Sequence, residues 1–180
     1  TRPAEPIEET TFVDVGAGMG RAVLLAAEMP FRRVIGVELQ STLVRIARRN
    51  LTGWRKAGRA IAPMRMVQAD AVEFVWPSGP AVAFLFNPFG AVVMRRFLRS
   101  MAVTFRDRAG QLDVLYVNNE QDWIFAQQRG FARLFSGKVR RSPEDAAADR
   151  SILTNQPDGE YGWAPHEDCS IWRWTGRPRG

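Results

Sequence analysis

From Thr11 onward, short apolar runs alternate with stretches of helical period, a pattern that predicts a repeating βα architecture. Thr11 to Val15 is a β-rich run that ends in glycines. Met19 to Met29 predicts a helix, with small Ala22, Ala26 and Ala27 suited to close packing and Pro30 as a stop. A second buried strand is expected over Arg33 to Leu39. Ser41, an N-cap candidate, then opens a helix to about Leu51 with Leu43, Val44, Ile46 and Ala47 inward and Arg45, Arg48 and Arg49 outward. Gly53 to Pro63 reads as a connection with some local helix, and Met64 to Ala69 as a third strand. Ala81 to Phe86 is apolar throughout, as expected of a central strand covered on both faces. Ala91 to Arg106 predicts a long amphipathic helix with Val93, Phe97, Leu98, Met101 and Phe105 on one side, and Leu112 to Val117 a fifth strand.

Beyond Glu120 the pattern predicts a short helix to about Gln128 and a strand from Phe131 to Val139. Arg140 to Asp168 is polar and punctuated by Pro143, Pro157, Gly159, Gly162 and Pro165, which predicts a long loop with one helical turn near Pro143 to Asp149. Ser170 to Thr175 closes the chain as a strand, and two strands joined without a crossover helix pair antiparallel. The expected fold class is therefore α/β: a Rossmann-like, doubly wound sheet, mostly parallel, with an antiparallel C-terminal strand. At 180 residues and 20.3 kDa the chain suits one domain, 1–180, with the polar loop at about 140–168 as an insertion.

With 46% hydrophobic and 24% charged residues, the composition excludes a disordered or fibrous chain. The longest apolar runs are broken well short of a membrane span by Asn87, Pro88 or Gly90. The formal charge is +6 and the basic residues are nearly all arginine, Lys56 and Lys138 being the lysines. Arginine pairs such as Arg32/Arg33, Arg48/Arg49, Arg95/Arg96 and Arg140/Arg141 are scattered, so no basic arm of the tail type is expected. Two readings of the charge stand: a nucleic-acid or acidic-protein partner, or a compositional bias that serves solubility. The single cysteine, Cys169, excludes an internal disulfide, and no Cys/His cluster has zinc spacing. The opening TRPAEPIEET has no apolar signal core, and a cytoplasmic location is the expectation.

The candidate chemistry sits at the carboxyl ends of the strands. Gly16, Gly18 and Gly20 follow the first strand, Phe12 to Val15, and lead into a helix. Glycines at alternate positions allow a tight turn and bring bare backbone against a ligand at the helix N-terminus. Glu38 ends the second strand about 20 residues on, where a carboxylate can accept both hydroxyl protons of a ribose. Together these predict a nucleotide-type cofactor; the alternative is a glycine turn used only for strand-to-helix packing. A dinucleotide fingerprint needs a further glycine where this chain has Arg21, which keeps the helix from approaching a pyrophosphate in the usual way; an NAD(P)-dependent oxidoreductase using the same glycine turn is the rival assignment. Asp14, two residues before the turn, is expected to fix the loop through its amides or to touch the cofactor.

Asp14 and the GxGxG turn resemble the first motif of class I S-adenosylmethionine-dependent methyltransferases, over roughly Thr11 to Val117. The resemblance implies S-adenosyl-L-methionine as cofactor, its methionine portion cradled by Gly16, Gly18 and Gly20 and its ribose held by Glu38. It also places Asp70 and Ala71, after the third strand, near adenine, where Asp70 could accept a hydrogen bond from the exocyclic amine worth about 1 kcal/mol. The alternative for Asp70 is a helix N-cap before Ala71 to Phe74. FLFNPFG ends the fourth strand, and Asn87, Pro88 and Phe89 are similar, in shortened form, to the Asn-Pro-Pro-aromatic motif of methyltransferases acting on planar nitrogens. There the Asn oxygen and a backbone carbonyl accept the amine's protons and the ring stacks on the acceptor, so Asn87, Pro88 and Phe89 are the catalytic candidates, with Asn87 also beside the cofactor. The alternative is a Pro-Phe turn packed under the next helix.

The stretch from Val13 to Gln40 is further similar to bacterial methyltransferases related to the non-SET, telomeric-silencing-disruptor-type histone lysine methyltransferases. The expected acceptor is unidentified and of amine type, whether protein, small molecule or nucleic acid, and no metal or membrane is required. A non-catalytic module that only binds S-adenosylmethionine is the third reading. His166 and Cys169 are expected to be bystanders, and Trp163, Trp172 and Trp174 to pack in the core or at an edge more readily than to line a pocket.

Overall fold

A computed structural model describes residues 5–142 and 166–176. After a 3-10 turn at Ile7–Glu9 the elements run β1 (Thr11–Val15), α1 (Arg21–Ala26), β2 (Arg33–Glu38), α2 (Ser41–Lys56), β3 (Met64–Gln68), β4 (Ala81–Phe86), α3 (Ala91–Thr104), β5 (Leu112–Val117), α4 (Asp122–Gln127), β6 (Phe131–Arg140) and β7 (His166–Trp174). They form one mixed sheet in the order β3-β2-β1-β4-β5-β7-β6. The first five strands are parallel, while β7 pairs antiparallel with both β5 and β6. The expected architecture, doubly wound and mostly parallel with an antiparallel C-terminal end, is the one found.

Alternation along the strands divides the core between the two faces of the sheet. Phe12, Val34, Met64, Met66 and Val82 join Val23 of α1 and Val44, Ala47 and Leu51 of α2 on one face. Val13, Val15, Ile35, Val37, Ala83 and Leu85 join Met94, Phe97, Leu98 and Met101 of α3 and Ile124 and Phe125 of α4 on the other. Trp172 and Trp174 are buried there too, and their indole N–H groups donate to Asp122 Oδ1 and to the carbonyl of Phe105, both at 2.7 Å. They pack in the core; Trp163 lies outside the described residues, as do the expected helical turn at Pro143 to Asp149 and most of the expected loop.

Several element boundaries differ from the pattern, each for a local reason. The first helix spans only Arg21–Ala26: Gly20 takes φ +86° and stops it from starting at Met19, and the Ala27 carbonyl leaves the helical ladder to accept the amides of Ile61 and Ala62. The second helix runs on to Lys56 through Gly53, because Leu51 and Trp54 still face the core. Its N-cap is Gln40 and Ser41 is its first residue, without a side-chain cap. No helix follows Asp70, whose Oδ1 accepts the Val72 amide at 2.8 Å in a turn. The closing strand begins at His166, four residues before Ser170, because Arg140 to Lys138 of β6 pair with His166 to Asp168.

One position in the parallel sheet has no room for a side chain. A Cβ on Gly36, at the centre of β2, would lie 2.4 Å from Met66 Sδ and 2.8 Å from Val23 Cγ2. Gly36→Ala is therefore expected to lose about 1–3 kcal/mol of stability by overpacking, measured as a drop in the urea midpoint at unchanged m-value.

Candidate functional site

The strand order reverses between β1 and β4, and open α/β sheets bind ligands at the carboxyl ends of such strands. Two sequence motifs meet there. Gly16 follows β1 and Pro88 follows β4, and a Cβ on Gly16 would come within 2.8 Å of Pro88 Cβ. Sequence separation hid this contact, and the absent side chain of Gly16 permits it.

The three glycines have three different reasons to be glycine. All have positive φ, at +77°, +53° and +86° for Gly16, Gly18 and Gly20. Gly16 admits Pro88, and Gly20 lies against Leu51 Cδ1 and Ala47 Cβ of α2 at 3.2 and 3.4 Å. Nothing lies within 4 Å of where a Gly18 side chain would start, so its backbone faces open space. Four ties hold the loop: the Val37 carbonyl accepts the amides of Gly16 and Ala17, Asn50 Nδ2 donates to the Met19 carbonyl at 3.0 Å, and Gly18 N–H donates to Glu38 Oε2 at 2.9 Å.

Glu38 is thus a fastening residue in this structure. Its other oxygen, Oε1, accepts the Gln40 amide at 2.9 Å, and its own carbonyl accepts the Ala69 amide, which carries the turn of Asp70 and Ala71 up against the end of β2. The role expected of Asp14, holding the loop amides, is performed at Gly18 by Glu38. Asp14 is almost fully buried, and burial first, with the nearby charge of Glu38 second, raises its carboxyl from 3.8 to about 7.

Asn87 leaves β4 in the left-handed region, φ +41°, with its amide bonded to the Val117 carbonyl. Its side chain is aimed by a residue that pattern reading missed: the Tyr116 hydroxyl donates to Asn87 Oδ1 at 3.0 Å and itself accepts the Gln121 amide at 3.2 Å. Burial, the largest cause, raises the Tyr116 phenol, so it keeps its proton for that bond at neutral pH. Asn118 ends β5 with φ +51°, twinning Asn87 at the neighbouring strand end. The Asn-Asn-Glu after β5 was the available sequence signal for Asn118, whereas nothing local marks Tyr116.

A cleft of about 510 Å³ opens beside the loop, lined by Asp14, Gly16, Ala17, Arg21, Phe86 and the Arg141–Glu167 pair among others. Arg141 Nε donates to Glu167 Oε1 at 2.6 Å. Of the expected site residues, Asp14 and Gly16 line this cleft; Gly18, Gly20, Glu38, Asp70 and Ala71 belong to the loop and to the ends of β2 and β3 beside it. Phe89 is turned away, its ring 5.5 Å from that of Phe97 on α3, and the half-exposed ring in the cleft is Phe86. Among the described residues, no group of three His, Cys, Asp or Glu side chains is placed to hold a metal ion, and no helix is long and apolar enough to cross a membrane.

No family model matches the chain and no curated protein matches it. Many solved structures share its fold. YcgJ from Bacillus subtilis has a TM-score of 0.55 at 16% identity, covering 97% of this chain and 95% of its own. Magnesium protoporphyrin IX methyltransferase from Synechocystis, solved with S-adenosylmethionine bound, has 0.57 at 11% identity, over 93% and 69%. The [4+2]-cyclase SpnF has 0.60 at 16% identity, over 94% and 76%. The fold is that of the class I S-adenosylmethionine-dependent methyltransferases. It does not fix the reaction, since a cyclase shares it.

Substitution separates the roles of two of the glycines. Gly18→Ala should cost about 1–2 kcal/mol, the penalty of a left-handed alanine alone, while Gly16→Ala should cost more because Pro88 must also move; chemical denaturation of the pair measures the difference. The raised Asp14 carboxyl gives the folded state the more protonated group between pH 4 and pH 7, so its contribution to stability is complete below pH 4 and is lost as pH rises through about 7. Asp14→Asn is expected to flatten that fall, leaving the variant more stable than the parent at pH 8, as read from urea midpoints across pH.

Proposed function

We propose that the chain is a methyltransferase that binds S-adenosyl-L-methionine at the glycine loop and Glu38 and acts on an amine-type acceptor held at Asn87. The observation that carries this reading is the meeting of the GxGxG loop, fastened by Glu38, with the Asn87-Pro88 turn at the point where the strand order reverses. The residues fit the cofactor. Each Glu38 oxygen that accepts one amide keeps a lone pair for a ribose hydroxyl. Gly18 leaves open space over bare backbone beside the Glu38 carboxylate. Solved neighbours on this fold include enzymes named as methyltransferases, one with S-adenosylmethionine bound, which supports the reading at the level of fold.

When bound, the cofactor supplies an activated methyl group on a sulfonium. The protein's own task is then mainly to position the acceptor, where orientation can account for several kcal/mol of the barrier. Tyr116 holds Asn87 Oδ1 in place and leaves a lone pair on it, and the Pro88 carbonyl lies next to it in the chain. These two oxygens can accept the two protons of an amine and turn its lone pair toward the methyl group. Phe89, the ring of the candidate motif, packs against Phe97, and Phe86 is the half-exposed ring lining the cleft.

Calorimetric titration with S-adenosylhomocysteine and with NAD in parallel tests the cofactor assignment, and heat is expected from the former alone. Glu38→Gln should weaken that binding by roughly tenfold, or about 1.4 kcal/mol. Full affinity in the variant would remove Glu38 from the site, and heat from NAD alone would make the protein an oxidoreductase candidate. With a labelled cofactor and a lysate as acceptor source, Asn87→Ala should abolish label transfer without changing the affinity for S-adenosylhomocysteine. A parent protein that binds but transfers no label would be a cofactor-binding module.

A further inference from the structure

The arginine pairs are scattered along the chain, but their charge is not evenly spread. Residues 39–69 hold seven basic residues, Arg45, Arg48, Arg49, Arg55, Lys56, Arg59 and Arg65, and no acid, so this stretch carries +7 while the rest of the chain is −1 against the total of +6. The fold places six of the seven on α2 and just beyond its end, while Arg65 leaves the edge strand β3 on the face opposite Met64 and Met66, which pack under α2. Arg45, Arg48, Arg49, Arg55 and Lys56 are exposed on α2, and Arg65 is exposed on β3, the outermost strand on that side. Along α2 the stripe from Arg45 to Lys56 covers roughly 16 Å of helix.

We propose that the exposed face of α2, along the β3 edge, is a binding surface for the phosphodiester backbone of a nucleic acid, independent of whether the cofactor site transfers methyl groups. Two of the guanidiniums are held ready. Arg48 and Arg55 each give a single N–H bond to an unpaired edge carbonyl of β3, those of Met66 at 3.5 Å and Met64 at 3.2 Å, and a guanidinium retains four further donors. Arg45, Arg49, Lys56 and Arg65 are in no ion pair among the described residues. At the far end of α2, Arg59 has its guanidinium carbon 3.7 Å from the Trp54 ring centroid and pairs with Glu28 at 2.8 Å, a planar cation of the kind on which bases stack.

The alternatives to a nucleic acid fit less well. Binding flat on a membrane would require an exposed apolar face, and that of α2 is spent in the core through Val44, Ala47 and Leu51. A folded protein partner would be expected to use an aromatic or aliphatic anchor at the centre of the patch, where this surface has Arg45, Arg48, Arg49 and Thr52. Some basic residues elsewhere pair with acids, as in Arg133–Asp122 and the two-point Arg173–Asp113 pair, and the acid-free group on α3, Arg95, Arg96 and Arg99, is smaller.

The test is fluorescence anisotropy of the full chain with a labelled 20-nucleotide poly(U) RNA and a 20-base-pair DNA duplex, over 50–300 mM salt, with polyglutamate as competitor. Arg45→Gln/Arg49→Gln removes two charges that make no hydrogen bond in the structure, so a thermal melt close to that of the parent is expected. On the proposal this variant binds at least fivefold more weakly and its log–log salt slope with poly(U) shrinks by roughly 1.4. Arg96→Gln/Arg99→Gln on α3, with the same loss of charge, stays within twofold of the parent. Preference for the RNA or the duplex assigns the kind of nucleic acid. Absence of binding to both at 50 mM salt, equal weakening in the two variants, or polyglutamate competing as well per charge as poly(U) would each overturn the proposal, the last in favour of an acidic polypeptide.

Discussion

The site depends on the bond between the Gly18 amide and the Glu38 carboxylate. A loop of three left-handed glycines has little intrinsic preference for one shape, and the backbone entropy lost in ordering it is large. Glu38 offsets that by receiving the loop on one oxygen and its own turn on the other, in a buried position where a charge-assisted bond to an amide is strong. The main-chain bonds from Gly16 and Ala17 to Val37 run alongside it, so the end of β2 sets the shape of the turn after β1. Any ligand at this edge meets a loop whose geometry exists beforehand.

The ends of β4 and β5 show the same use of positive-φ residues. Asn87 and Asn118 leave adjacent strands with positive φ, a conformation asparagine tolerates better than most residues. Tyr116 is fully buried, its ring in the core and its hydroxyl linking Asn87 to the start of α4 through Gln121. A rigid, buried ring is a better support for a positioned amide than a solvent-exposed side chain, because its orientation is set by packing.

Charge is partitioned as strictly as apolar area. Buried carboxyls, Asp14 and Glu38, sit at the carboxyl end of the central strands and push Asp14 toward its neutral form. The densest run of positive charge lies on α2 along the β3 edge, where solvent makes its accumulation tolerable and where arginines cover the open backbone of an edge strand.

Alternation and helical period along the chain were enough to determine the βα order, the central place of the fully apolar Ala81–Phe86 strand, the glycine loop with its distant acid, and the antiparallel finish. These follow from short-range rules, in which period, turn residues and spacing act within a few tens of residues. Tertiary structure alone decided that Gly16 abuts Pro88, that Glu38 rather than Asp14 fastens Gly18, that Phe89 turns to Phe97 and leaves Phe86 in the cleft, and that Tyr116 aims Asn87. It also laid Arg48 and Arg55 of α2 against the carbonyls of the edge strand. Each of these is a contact between groups on different elements, whose occurrence depends on how strands are ordered in the sheet and on which face each side chain leaves it, quantities that no local window of sequence contains.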